Sequence, residues 1–178
     1  MRIRERERTV GDTMIDVCAL TDKQLDNVIE NHRRKGATSL PLFSQALEER
    51  AKRKGRGLSF AASRDALAAA AREGRFMSYK ELADVSGAKW SHVHYSLGSH
   101  LWELVEFAHL QGWPMLSAIV VNKPNIRDGS MEPETLKGFV AAARALGHVV
   151  TDEEGFLREQ QRLVFAWGET IPERREGE

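Results

Sequence analysis

Apolar residues recur along most of this chain at the i, i+3, i+4 spacing of amphipathic helices, and glycine separates the runs. Local start signals sharpen the pattern: Thr21 and Gln24 are spaced as a capping box, and Pro41 and Pro133 suit the first position of a helix. The predicted helices cover about residues 21–35, 41–54, 59–73, 100–111, 133–146 and 151–167. Ser99 is the expected cap of the fourth helix, and Thr151 with Glu154 forms the capping box expected for the last.

Residues 78–97 carry the pattern of a helix-turn-helix. Ser78 and Glu81 are spaced as a further capping box, and Gly87 ends the short helix that they begin. A second short helix over residues 90–97 places Val93 and Leu97 inward at i, i+4. Two helices joined by a tight turn with glycine can present a helix to the DNA major groove. Nucleic-acid binding is therefore the leading hypothesis.

One run, residues 116–122, is apolar and β-branched, and it predicts a strand. A single strand needs a partner for its backbone groups. Residues 75–78 and 148–151 are the two candidates, and either would complete a small β-element beside the helix-turn-helix. Residues 123–131, rich in Pro, Asn, Asp and Gly, predict a loop or wing.

Charge is balanced over the whole chain, with 26 Lys and Arg against 26 Asp and Glu, but it is distributed unevenly. Residues 1–56 carry 13 basic against 9 acidic side chains, and residues 152–178 carry 4 against 8. This asymmetry fits a front that faces a polyanion, or simply two differently solvated surfaces.

The single cysteine, Cys18, excludes an intramolecular disulfide framework and a multi-thiolate zinc site, and it favours a reducing compartment. The N-terminal sequence lacks the apolar run of a signal peptide, and no window approaches the roughly 20 apolar residues of a membrane span. We therefore expect a cytoplasmic protein with no membrane partner.

Three stretches carry a family resemblance: residues 78–83 (SYKELA) with Gly87, residues 93–98 (VHYSLG) and residues 114–122 (PMLSAIVVN). Together they resemble the winged-helix domain of O6-alkylguanine-DNA alkyltransferases and alkyltransferase-like proteins. The resemblance covers about residues 76–122 and implies a winged helix with DNA as its ligand. Similar modules accompany bacterial restriction-type nucleases as their DNA-reading part.

The chain departs from that family at the residues that carry its chemistry. The alkyltransferases have a Pro-Cys-His-Arg segment that supplies the acceptor thiolate, and here residues 116–119 (LSAI) contain neither Cys nor His. The family's recognition helix carries an arginine that holds the duplex open, and the nearest equivalent here is His94. Alkyl transfer requires an activated thiolate. The resemblance therefore implies DNA binding without alkyl transfer.

The outward positions of the second short helix are the first candidate DNA contacts: Lys89, Trp90, Ser91, His92, His94 and Tyr95. Lysine contacts phosphate, serine bonds phosphate or base edges, and Trp or Tyr stacks on bases or wedges beside them. The alternative is that Trp90 and Tyr95 belong to the core and that the two histidines are plain surface residues. Because the helix lacks arginine, we expect low sequence specificity or recognition of DNA shape.

Two basic runs supply the remaining predicted phosphate contacts: Arg33, Arg34, Lys54 and Arg56. Glu48 and Glu49 precede Lys52 and Arg53 by four residues, which is the favourable order for helical ion pairs of about 0.2–0.5 kcal/mol each. Those pairs cancel part of the charge of the second run. Lys54 and Arg56 have no such partner, so they are the stronger candidates.

Metal binding and catalysis are not expected. His92 and His94 would point their rings about 200° apart on a helix, and no cysteine accompanies them or His100. The chain has no Gly-rich phosphate cradle, nucleophile elbow or nuclease signature. We expect no cofactor, and an enzymatic hypothesis survives only if Cys18 lies beside His94.

The sequence therefore predicts a mainly α fold: a helical bundle around a central winged helix-turn-helix with a small β-element. The predicted segments are a flexible leader (1–18), a helical N-terminal part (19–74), the winged helix-turn-helix (75–131), C-terminal helices (132–168) and a charged tail (169–178). The predicted function is non-enzymatic binding of double-stranded DNA with low specificity, as a regulator or as the DNA-reading accessory of a nuclease or defence system. The alternative is a protein–protein interaction adaptor that docks a partner through the N-terminal helices or the acidic C-terminal segment.

Overall fold

The computed structural model describes residues 15–54 and 57–172. Most of the predicted leader, residues 1–14, and the end of the predicted tail, residues 173–178, lie outside the described residues. The described residues form eight α-helices: α1 (Asp22–Arg34), α2 (Pro41–Lys54), α3 (Phe60–Arg72), α4 (Tyr79–Asp84), α5 (Trp90–Val93), α6 (Leu97–Leu110), α7 (Pro133–Ala145) and α8 (Glu153–Thr170). The mainly helical class is confirmed.

Local capping signals set the starts of several helices. Thr21 and Ser78 form complete capping boxes with Gln24 and Glu81, and the Ser59 side chain accepts from the Ala62 backbone N–H. These starts were predicted and are confirmed.

Two predicted starts are wrong. The cap of α8 is Asp152, whose carboxylate accepts from the Gly155 N–H at 3.0 Å, and not Thr151. Helix α6 begins at Leu97, before Ser99, because the chain enters it directly from the turn that follows α5.

The β-element is smaller than the predicted strand. β1 (Met77–Ser78) pairs in parallel with β2 (Val120–Val121), with Met77 opposite Val120. The partner segment 75–78 is confirmed, but the strand over residues 116–122 is wrong in its first part, because Leu116–Ile119 is a 3-10 helix. Two glutamines of α8 explain the difference: Gln160 Oε1 accepts from the Met115 N–H, and Gln161 Nε2 donates to the Ala118 carbonyl. These bonds occupy backbone groups that a longer strand would use for pairing.

The predicted loop or wing over residues 123–131 contains a short 3-10 helix, Lys123–Asn125, and no strand within its described residues. Gln161 Nε2 also donates to the Gly129 carbonyl at 2.7 Å, and Arg158 donates to the Asp128 carbonyl at 2.8 Å. Helix α8 therefore fixes this loop against the body of the protein.

One hydrophobic core joins the N-terminal, central and C-terminal helices. Helix α6 lies within it and buries residues along most of its length, including Leu101, Leu104 and Val105. Helix α8 packs closely on α3, where Gly168 lies directly against the backbone of Ala71. Within residues 15–54 and 57–172, no helix is both long and apolar enough to cross a membrane.

Candidate nucleic-acid interface

The helix-turn-helix is assembled from α4, a glycine turn and α5. Ser78 Oγ accepts from the Glu81 N–H at 3.1 Å, and Glu81 Oε2 accepts from the Ser78 N–H at 2.7 Å, so the start of α4 is fixed from both sides. Gly87 has φ +66°, a left-handed conformation that permits the sharp turn. Leu82 and Val93 are fully buried, which anchors both helices to the core.

The turn between α4 and α5 is also tied to α3. Ser86 Oγ accepts from the Ser59 backbone N–H at 2.9 Å. The predicted second helix over residues 90–97 is wrong in its length: α5 ends at Val93 after one turn, and Leu97 begins α6 after a short turn. The position of α5 is therefore set by its neighbours rather than by its own helical stability.

The predicted outward residues of α5 do face outward. Lys89, Trp90, Ser91, His92 and Tyr95 are exposed, and His94 is half-buried. Trp90 is 42% exposed and Tyr95 is 84% exposed, so the alternative in which these two aromatic residues belong to the core is wrong.

Three of these side chains form what we call the aromatic stack: Trp90, His94 and Tyr95. The Trp90 and His94 ring centroids are 5.8 Å apart with planes 29° apart, and those of His94 and Tyr95 are 3.8 Å apart at 41°. His94 Nδ1–H donates to the Trp90 carbonyl at 3.0 Å, which fixes the middle ring of the stack. The result is an exposed row of three rings in which Trp90 and His94 are stacked and Tyr95 is tilted against His94.

The sequence around the aromatic stack carries positive charge and no negative charge. Residues 85–102 contain no Asp or Glu, whereas Lys89 is exposed beside Trp90. Lys80 of α4 pairs with Asp84 at 2.7 Å, so its charge is offset. Lys89 is therefore the exposed lysine that this segment offers to an anion.

The predicted phosphate contacts in the N-terminal part differ in whether their side chains are free to contact DNA. Arg33 is 24% exposed and pairs with Glu106 of α6, and it also lies 3.7 Å from Glu30. Arg34 is exposed, and its guanidinium donates to the Asn31 side chain at 2.8 Å. The Lys54 side chain and Arg56 lie outside the described residues. The structure thus assigns Arg33 to an interhelical ion pair.

A groove of about 480 Å³ between α6 and α7 was missed by the sequence analysis. Leu101, Trp102 and Phe139 line it, and Tyr79 reaches it from the start of α4. Partial burial raises the pKa of the Tyr79 hydroxyl. In the sequence, Trp102 lies outside the apolar stripe of Leu101, Leu104 and Val105. That position could have predicted an exposed tryptophan on α6.

Cys18 and His100 each have a hydrogen-bond partner in a different part of the fold. The exposed Cys18 thiol donates to Glu49 at 3.6 Å, and that carboxylate raises the pKa of the thiol. His100 is buried, with its Nε2 2.8 Å from Ser63 Oγ, whereas His92 is exposed. Among the residues that the structure describes, no group of three His, Cys, Asp or Glu could hold a metal ion.

Comparisons with models of protein families, with curated proteins and with solved structures found no match to this chain.

Proposed function

We propose that this protein binds double-stranded DNA without catalysis and with low sequence specificity, through the surface of residues 89–95. The observation that carries the proposal is the arrangement of α4 and α5: a capped helix, a glycine turn and a second helix whose outer side exposes Lys89, Ser91 and His92. Lysine and serine bond phosphate oxygens, which supply most of the affinity of such contacts. The proposal includes a winged-helix arrangement similar to that of the alkyltransferases, although the β1–β2 pair beside α4 is parallel and only two residues long.

Low specificity follows from the residue types on this surface. Base edges are recognised mainly by pairs of hydrogen bonds from Arg, Lys, Asn and Gln side chains. Lys89 is the one such residue among residues 89–96, and no arginine lies between Arg75 and Arg127. Backbone contacts and DNA shape would therefore determine where the protein binds.

The absence of alkyl-transfer chemistry is part of the proposal. Residues 116–119, which stand where the resemblance would place the acceptor cysteine, contain no cysteine. The Glu49 carboxylate disfavours the thiolate form of Cys18. A single cysteine, which can form no disulfide within the chain, supports a reducing compartment such as the cytoplasm. A regulator or the DNA-reading accessory of a nuclease or defence system is the role that fits this chemistry.

The test measures binding to a labelled blunt duplex of generic sequence by fluorescence anisotropy, at salt concentrations from 50 to 200 mM. We expect a complex at 50 mM that weakens steeply with salt, and a slope of log K against log salt that falls by about one unit in Lys89→Gln. Lys137→Gln, at an exposed lysine of α7, is the matched control and should leave the slope unchanged. No complex at 50 mM salt contradicts the proposal.

A second candidate function is a protein-interaction adaptor. Val85, Trp90 and Tyr95 are large apolar residues exposed at 40%, 42% and 84%, and aromatic residues of this kind are enriched at the centres of protein interfaces. In this case capture of a partner from lysate would resist nuclease treatment and Lys89→Gln alike, whereas Tyr95→Ala would abolish it.

A further inference from the structure

The aromatic stack exposes more ring surface than packing requires. His94 is held by the Trp90 carbonyl and lies between Trp90 and Tyr95, yet Tyr95 at the end of the stack remains 84% exposed. A tyrosine this exposed contributes little to the core, so its ring is available to a partner outside the protein.

The residues around the aromatic stack favour a nucleobase, and not an apolar protein surface, as its partner. Lys89, Ser91 and His92 are exposed hydrogen-bond donors in the same short segment as the rings, and residues 85–102 contain no acidic residue. Aromatic rings interleaved with cations and donors are the combination that binds single-stranded nucleic acid, because the rings stack on bases and the cations follow the backbone.

An intact duplex offers these rings little to stack on. Bases within a duplex cover one another's faces and expose only their edges in the grooves. Helix α5 has four residues, about 6 Å of helix, so it presents few side chains to a groove. An unpaired base offers the rings of Trp90 and Tyr95 a full face to stack on, which a duplex offers only at its ends.

We propose that the aromatic stack binds an unpaired nucleobase, so that the protein prefers DNA in which a single-stranded segment adjoins a duplex. This inference rests on the proposed function, in which Lys89 and its neighbours contact the phosphates of the adjoining duplex. Trp90 and Tyr95 supply the stacking surface, and His94 positions the two rings.

The test compares three labelled DNA probes of the same sequence: a blunt duplex, the duplex with a six-nucleotide overhang, and the free single strand. We expect the overhang probe to bind at least about tenfold more tightly than the blunt duplex, which corresponds to about 1.4 kcal/mol. Tyr95→Ala should remove this preference, so that the variant binds the overhang probe no more tightly than the blunt duplex. Trp102→Ala, at an exposed tryptophan outside the stack, should keep it.

Tryptophan fluorescence gives a second readout that distinguishes stacking from a structural role. The overhang probe should quench the emission of the wild-type protein, because stacking on a base quenches Trp90. Trp90→Phe should lose most of this quenching, and Trp102→Phe should keep it.

The possible failures are distinguishable. Equal affinity for blunt and overhang probes, or a preference that survives Tyr95→Ala, overturns the inference and leaves the proposed function standing. Absence of binding to every probe overturns both.

Discussion

His100 Nε2 lies 2.8 Å from Ser63 Oγ, where α6 meets α3 inside the core. His100 is 3% exposed, and its Nδ1 has no hydrogen-bond partner in the structure. Burial disfavours the charged ring and lowers the pKa of His100 from its ordinary 6.5 to about 4. The pair therefore links the stability of the fold to pH.

The first prediction is a loss of stability on mild acidification. His100 stays neutral in the folded protein at pH 5 but is protonated in the unfolded chain below pH 6.5, so the unfolded state binds more protons. The stabilisation is complete above pH 6.5 and falls as the pH decreases toward 4. Between pH 7.5 and 5 we expect His100 to account for a decrease of about 2 kcal/mol in the free energy of unfolding, measured by urea denaturation.

The control is the double variant His100→Leu with Ser63→Ala, which removes both partners of the buried bond. Other titratable groups are common to both proteins, so the difference between their pH dependences isolates His100. An identical pH dependence in the two proteins would show that His100 is not held neutral by burial.

The second prediction uses two helical glycines. Replacing glycine by alanine inside an exposed helix stabilises it by about 0.5–1 kcal/mol, and we expect this at Gly138 of α7, where a Cβ has open space. At Gly168 of α8 a Cβ would collide with the backbone of Ala71, so Gly168→Ala should destabilise by about 1–3 kcal/mol. Thermal unfolding of the two variants measures the contrast. Equal stabilisation by both would contradict the close packing of α8 on α3.

The third prediction concerns the start of the helix-turn-helix. Ser78→Ala removes the acceptor for the Glu81 N–H and should lower the free energy of unfolding by about 1 kcal/mol. Ser78→Thr keeps a hydroxyl at the cap and should recover most of that loss. Urea denaturation of the three proteins is the measurement, and equal stability of Ser78→Ala and wild type would refute the role of the cap.

The capping boxes at Thr21 and Ser78, and the buried and exposed sides of α5, could be predicted because their signals are local. Ser78 and Glu81 are three residues apart, and the i, i+4 spacing of Val93 and Leu97 is enough to place them inward. The exposure of Lys89 follows from the same periodicity. The stacking of Trp90 on His94 could not be predicted, because it depends on side-chain rotamers and on the end of α5 after one turn.

Long-range contacts decide the features that the sequence analysis missed. The 3-10 helix Leu116–Ile119 depends on Gln160 and Gln161, more than 40 residues away, and no local pattern distinguishes it from a strand. The ion pair of Arg33 joins residues 73 positions apart. A basic run in the sequence therefore shows which residues carry charge, but not which of them remain free of ion pairs and able to contact a ligand.

The fourth prediction follows from that ion pair. Because Glu106 engages Arg33 between α1 and α6, a double-mutant cycle with Arg33→Gln and Glu106→Gln should give a coupling energy of about 1 kcal/mol in urea denaturation. Arg33→Gln should leave affinity for a blunt duplex unchanged. A loss of affinity as large as that of Lys89→Gln would place Arg33 in the DNA interface instead.

The central claim is that the surface of residues 89–95 contacts DNA, and a map of backbone-amide chemical-shift changes on adding a blunt duplex at low salt tests it most directly. We predict changes concentrated in residues 85–96, with little change in α1 or α8. Binding accompanied by changes only outside residues 85–96 would contradict the claim.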